Sequence, residues 1–498
     1  MSNLTDLLPA GAGGKQVSFV ASGTLGSGVA VALKADGTVT AVSSTGAPPS
    51  AGTPEVFYSG IIYENDMAYD PVNNVLCIVY RKGDAPNAQT GYFACGVIDG
   101  NGDITWTTGQ FHTGTTFYCA VAYDANAQKF VVAYRDGSNS NYGTAQVGTY
   151  SSGTITWGSD YIFETAQSDH INIVYSEFDN KCVIAYKDVG NSGYPTAVVA
   201  TVSGTSISFG TPTVVESNAV LSSYPIGLTY FAGEGTSGTR RIVLAYDYNP
   251  LPPTVRMGAA YISGTNIVFG SFVSVTGAGS SYTSSIAYDS TNNRVILAYQ
   301  DFTGGYYKGA VLAATLSGST ITLGSASYFV SDNNAYYLDV SDHPAINGAV
   351  VNCRYAGAAV ANSGVSFPIT GTGTSVTIGS DIVFEAATTN YIRSTYVSST
   401  GKVHIAYQDN GNSNYGTTNT ISGFSSNNTD FIGISDAAIS DTASGSVTIK
   451  GGISTNVTGL TPNSTYYVQT DGSLSTTSSS VLAGKALSST SINLDYTT

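Results

Sequence analysis

The chain is short of charge. Asp, Glu, Lys and Arg make up 10 % of its 498 residues, where an ordinary domain carries about 25 %. Cations are scarcest, with 18 Lys and Arg against 33 Asp and Glu and a net charge of −15. A nucleic-acid backbone is held by a basic stripe, and so few scattered cations exclude one. Cysteine is sparse and odd in number: Cys77, Cys95, Cys119, Cys182 and Cys353. Five thiols at unmatched places inside apolar runs do not make a disulfide framework. Buried free thiols are expected instead, which suits folding in a reducing cytosol. No CxxC pair or Cys/His cluster has zinc spacing, and neither a metal nor any other cofactor is expected. No apolar run approaches the roughly 20 residues of a membrane span, so membrane insertion is not expected. The start, MSNLTDLLPAGAGGKQ, lacks a charged segment leading into an apolar core, and no Sec-type export signal is read there.

Gly (57), Tyr (35) and many Ser, Thr and Asn take the place of charge. The tyrosines carry a repeat. Tyr80, Tyr134, Tyr186, Tyr246, Tyr299, Tyr355 and Tyr407 each end a strand-like run, spaced 52 to 60 residues apart. The second unit, Phe117 to Phe163, divides into four runs rich in Val, Ile, Tyr, Phe and Thr: Tyr118–Tyr123, Phe130–Tyr134, Thr144–Thr149 and Ile155–Phe163. Asn, Asp, Gly and Ser clusters separate them, as hairpin turns do. Four strands in a unit of this length predict a propeller blade. Seven outer runs match the seven tyrosines: Val56–Tyr58, Gln110–His112, Tyr161–Glu164, Thr213–Glu216, Phe272–Val275, Tyr328–Ser331 and Ile382–Glu385. Val56–Tyr58 either completes the blade begun by Tyr391–Ile421 or opens a unit of its own; both readings give seven blades. Joining the ends would remove an open sheet edge.

Residues 1–52 and 424–498 lack the repeat. The first holds Gly26–Val42, two strand runs about an Ala-Asp-Gly-Thr turn, then a Pro/Gly/Ser linker. The second holds short alternating strands between Gly, Asp and Asn turns. Neither buries much apolar surface alone. The expected organisation is therefore all-β: a seven-bladed β-propeller of four-stranded blades at 53–423, inserted into a small β-barrel-like base domain made by both termini. Insertion is undemanding when the inserted domain's ends lie close together.

Loops after the tyrosine-ended strands are the candidate ligand sites. They offer Asp136, Asn139 and Tyr142; Asp188, Asn191 and Tyr194; and Asp409, Asn412 and Tyr415. An acid, an amide and a ring on one rim suit a sugar, whose hydroxyls they would bond and whose apolar face the ring would stack on. Asp and Asn also bond their own loop backbone as Asx-turns. Repetition at equivalent sites favours that reading, because every unit needs a turn. The calcium loop's twelve-residue acidic pattern is missing. Propellers also host sialidases and other glycosidases, which need paired carboxylates and, in sialidases, converging arginines. Here there are eight arginines, and Asn101–Trp106 resembles a sialidase Asp-box only once and without its serine. His112, His170, His343 and His404 stand far apart. No catalytic residue is assigned. The repeated tyrosines are expected in the core, their hydroxyls on backbone partners.

The opening LTDLLPAGAGGKQ with VALKADGTV resembles structural proteins of tailed bacterial viruses. So do the closing FIGIS, GSVTIKGGI, GLTPNSTYYVQTDGSL and AGKALSSTSINL. The likeness is to fibre and surface-decoration proteins of marine phages, and the AYxDxxNSxYGTA units are similar to theirs. It implies a non-enzymatic virion protein, tail fibre or host-facing appendage ahead of capsid decoration. Its partners would be other virion proteins through the base, further copies of itself and a host cell-surface glycan. It would be made in the host cytoplasm and released by lysis. A carbohydrate-active propeller enzyme is the alternative.

Overall fold

The computed structural model describes residues 15–34, 36–43, 48–85, 89–217, 226–233, 241–248, 254–275, 280–318, 320–357, 362–423, 430–469, 472–476 and 481–494, with no account of side chains at 280–284. Most of the opening motif, residues 4–14, and part of the linker, 44–47, lie outside them. The described residues are all-β, with no α-helix among them and three 3-10 turns. Two compact units divide the chain: Met1–Pro48 with Phe424–Thr498, and Pro49–Gly423.

Among its described residues the larger unit contains seven antiparallel sheets, each built on four strands that follow in sequence order except in the seventh, whose fourth comes from the start of the unit. The first runs from Glu55–Asp70 through Val75–Lys82 and Thr90–Ile98 to the start of Ile104–Asp124. The rest of that last strand then opens the second sheet. Outer and inner runs, expected as separate strands, thus merge into single strands of 16 to 21 residues at Glu55–Asp70, Ile104–Asp124, Tyr161–Ser176 and Ile382–Val397. The fourth sheet consists of Gly227–Phe231, Arg241–Tyr248, Thr254–Ser263 and Asn266–Ser274. In the seventh, Lys402–Asp409 and Tyr415–Ile421 are followed by the beginning of Glu55–Asp70, with Gly416 opposite Tyr58 and Thr417 opposite Val56. Of the two readings left open, Val56–Tyr58 therefore completes the last sheet.

The second strand of each sheet reads as a nearly unbroken apolar run, VLCIVY or KFVVAY, because it is covered on both faces. Alternation sends its residues to different neighbours. Leu76, Ile78 and Tyr80 pack with Val397 and Ala406 of the seventh sheet. Val75, Cys77 and Val79 pack with Val121, Phe130 and Val132 of the second. All five cysteines are buried in such layers and unpaired.

The smaller unit corrects the barrel expectation. It holds two five-stranded sheets, neither closed. One interleaves the two ends of the chain: Gln16–Val20, Ser444–Ile449, Phe431–Ser435, Ala30–Leu33 and Val39–Ala41, in that order. The other uses the C-terminal segment alone. Strands of two to six residues are too short for the tilt and stagger of a barrel. They bury one face instead, and Ala30, Phe431 and Ile434 share a core with Tyr466, Val468 and Ile492.

Candidate functional site

Six of the seven repeated tyrosines are buried to within 1 %: Tyr80, Tyr134, Tyr186, Tyr246, Tyr299 and Tyr407. Tyr355 is half-buried. Their hydroxyls depart from the backbone expectation. Tyr186 donates to Glu164 at 2.9 Å, Tyr407 to Glu385 at 3.1 Å, Tyr355 to Asp332 at 3.1 Å and Tyr246 to Glu216. The strand ladder already occupies the backbone, so in these four the acid at or beside the end of an outer run takes the phenol. Burial and the adjoining carboxylate push the Tyr186 and Tyr407 phenols well above their ordinary range. The outer runs also explain the glycine of the YGTA pattern. An added Cβ at Gly143 would lie 2.4 Å from the Phe163 ring, and at Gly416 2.6 Å from Phe57. Gly91, Gly258, Gly309 and Gly364 meet Phe111, Phe272, Phe329 and Phe384 likewise.

The loop acids hold their own turns. Asp136 accepts from the Ser138 and Asn139 amides at 2.9 and 3.2 Å, Asp188 from Asn191 at 3.0 Å, and Asp409 from Gly411 and Asn412 at 2.9 and 3.2 Å. In each hairpin the acid stands opposite the tyrosine, Asp136 to Tyr142, Asp188 to Tyr194 and Asp409 to Tyr415. The three tyrosines are half-buried, and Asn139, Asn191 and Asn412 are exposed. Asp136 also meets His112 Nε2 at 3.2 Å, while Asp160 lies 3.8 Å from Nδ1. Among the described residues this is the one group whose His and acid atoms fall within 4.8 Å of one another. Tyr134 reaches the same Nδ1 at 3.2 Å, so both imidazole nitrogens are already engaged.

A second set of residues lies on the first strand of the sheets. Glu64, Tyr118, His170, Tyr337 and Tyr391 all have left-handed backbone, φ 43 to 54°, and each falls where the pairing register shifts. A β-bulge with such a residue costs of order 1–3 kcal/mol and re-aims its side chain. The five residues line one cavity of about 550 Å³, together with residues of the first strands of the other two sheets, Gly227 and Ser285 among them. Tyr118 and His170 rings lie 4.8 Å apart, and Tyr337 and Tyr391 rings 5.3 Å apart. Arginines from the second strands brace these residues. Arg81 pairs with Glu64 at 3.2 Å, Arg135 lies over Tyr118 and pairs with Asp169, and Arg354 lies over Tyr337 and bonds Asn390.

The cavity is also acidic. Asp66 accepts from the Val121 amide at 2.8 Å and stands 4.0 Å from Arg393 Nε. Asp339 accepts from Ser394 at 2.6 Å and Ser285 at 3.3 Å. Asp66 keeps 19 % of its side-chain surface, but it lines the cavity and protein surrounds it. That enclosure pushes its carboxyl up to about 6 despite Arg393. Burial raises Asp339 and takes Asp342 to about 6 as well.

Sequence reasoning missed this site because its residue types differ from sheet to sheet. The available signal was position: sixteen residues before Tyr80, Tyr134, Tyr186 and Tyr407, and eighteen before Tyr355.

No family model matches the chain, and no curated protein does. Among solved structures it is similar to a crystal structure of a triple arginine-to-alanine mutant of AofleA from Arthrobotrys oligospora. Identity is 6 % and the TM-score 0.39, over 70 % of this chain and 97 % of that one.

Proposed function

We propose that the seven sheets form a seven-bladed β-propeller and that the chain is a non-enzymatic exterior component of a phage particle. Packing of the first sheet against both the second and the seventh supports the ring. The observation that carries the functional reading is the interleaving of both chain ends in one small unit. Such a unit can attach while the inserted unit meets a host. Its edge strand Gln16–Val20 leaves Val17 and Val20 39 % and 41 % exposed, an edge that another virion protein or a second copy would cover. A tail fibre or host-facing appendage stands ahead of capsid decoration, with host surface glycan as the ligand class. The exposed Asn139, Asn191 and Asn412 offer it amides.

Buried carboxylates Asp66 and Asp339 in one cavity favour the second reading, a carbohydrate-active enzyme. Both already accept hydrogen bonds from protein donors, an arrangement that serves binding. Labelling intact particles with an antibody to residues 49–423 tests the first reading, and the expected result is label at the tail. Particles without label overturn it. Release of reducing ends from a host polysaccharide by the purified chain overturns the non-enzymatic half.

A further inference from the structure

The cavity lined by the first strands has more acids than cations. Four carboxylates line it among the described residues, Glu64, Asp66, Asp339 and Asp342, with one arginine, Arg393. Glu64 is matched by Arg81, which leaves three acids for Arg393. Buried carboxylates call for a positive partner. Tyr118, Tyr337 and Tyr391 add aromatic rings, whose faces attract cations. The volume lies within the range of small-molecule sites.

We propose that this cavity binds a small compound bearing a primary ammonium group, the ammonium seated between Asp66 and Asp339 and the carbon skeleton against Tyr337 and Tyr391. An ammonium brings a positive charge with three donors and no acceptor, the complement of the acid-rich walls. The carrier is either an amino sugar of a surface polysaccharide or a free diamine. This inference goes beyond the virion reading and stands independently of it.

The test is calorimetric titration of the full chain with glucosamine, putrescine, N-acetylglucosamine and glucose. One or both ammonium compounds should bind, with the two neutral sugars weaker by about tenfold or more, the order of one charge-assisted contact. Tighter binding of glucosamine assigns the site to a polysaccharide, and tighter binding of putrescine to a free amine. Asp339→Asn should cost a further factor of about ten. Should that variant fail to fold, Asp342→Asn and Tyr391→Leu, at half-buried positions, serve instead. Binding that neither acetylation nor these substitutions alter overturns the proposal, as does the absence of heat with both ammonium compounds.

Discussion

At the residue scale, the repeated tyrosine combines two functions that substitution can separate. Its ring fills the layer between sheets, and in Tyr186, Tyr246, Tyr355 and Tyr407 its hydroxyl meets an acid at or beside the end of an outer run. Tyr186→Phe keeps the ring and strips Glu164 of its donor, so a loss of about 1–2 kcal/mol is expected in urea unfolding. Tyr80 is the control: its buried hydroxyl has no hydrogen-bond partner, and Tyr80→Phe should be neutral or mildly stabilising. Titration offers a second prediction. Burial lowers His343 and His404 to about 4, so the stability they contribute is complete above 6.5 and is lost as pH falls toward 4. Asp66 and Asp342, raised to about 6, act oppositely: their contribution is complete below 3.8 and is lost as pH rises through 6. Each group is worth up to about 3 kcal/mol, and the two kinds oppose each other between pH 4 and 6.5. Relative to the parent protein, His404→Gln should gain stability on acidification over that window, and Asp342→Asn should lose it. Thermal unfolding at pH 4.5, 5.5 and 6.5 reads both slopes, and parallel profiles for the two variants would refute the assignment.

At the scale of the element, six sheets share one device. A glycine on the third strand gives room to a phenylalanine on the outer strand; the third sheet has Pro195 there, with the Val215 amide donating to the Pro195 carbonyl at 2.8 Å. Gly143→Ala would force Phe163, 6 % exposed, out of its place, at about 1–3 kcal/mol. Gly100→Ala, where nothing lies within 4 Å, should change the unfolding midpoint little. Equal effects would mean that the glycine serves backbone conformation rather than space. The repeat was legible in sequence because strands covered on both faces leave continuous apolar runs between turn residues. The merging of outer and inner runs was not. Whether His112 and Phe117 end one strand and begin another, or belong to one, depends on which neighbours accept the hydrogen bonds, and both answers leave the same residue pattern.

For the whole molecule, the decisive strand segment is Glu55–Ile61. It hydrogen-bonds to Tyr415–Ile421, joining the beginning of the larger unit to its end. A fragment of residues 49–423 is expected to unfold in one cooperative transition. The same fragment begun at residue 62 uncovers the edge of Tyr415–Ile421 and should lose stability and self-associate, measurable by light scattering. A monomeric shorter fragment of unchanged stability would show that this pairing is dispensable.

The sequence by itself determined strand content, the seven-fold repeat, the tyrosine core positions and the Asx loops. Each is a local matter: alternation, turn chemistry and side-chain size act within a few residues and recur at every unit. Only the tertiary structure decided that Glu55–Ile61 completes the seventh sheet, that Glu164 and Glu385 take the tyrosine hydroxyls, and that the terminal segments make two open sheets instead of a barrel. It alone gathered Asp66, Asp339 and Arg393, more than 300 residues apart at the extremes, around one cavity. A bulge turns a side chain by shifting the pairing register, and pairing register is a relation between strands that neither strand encodes alone.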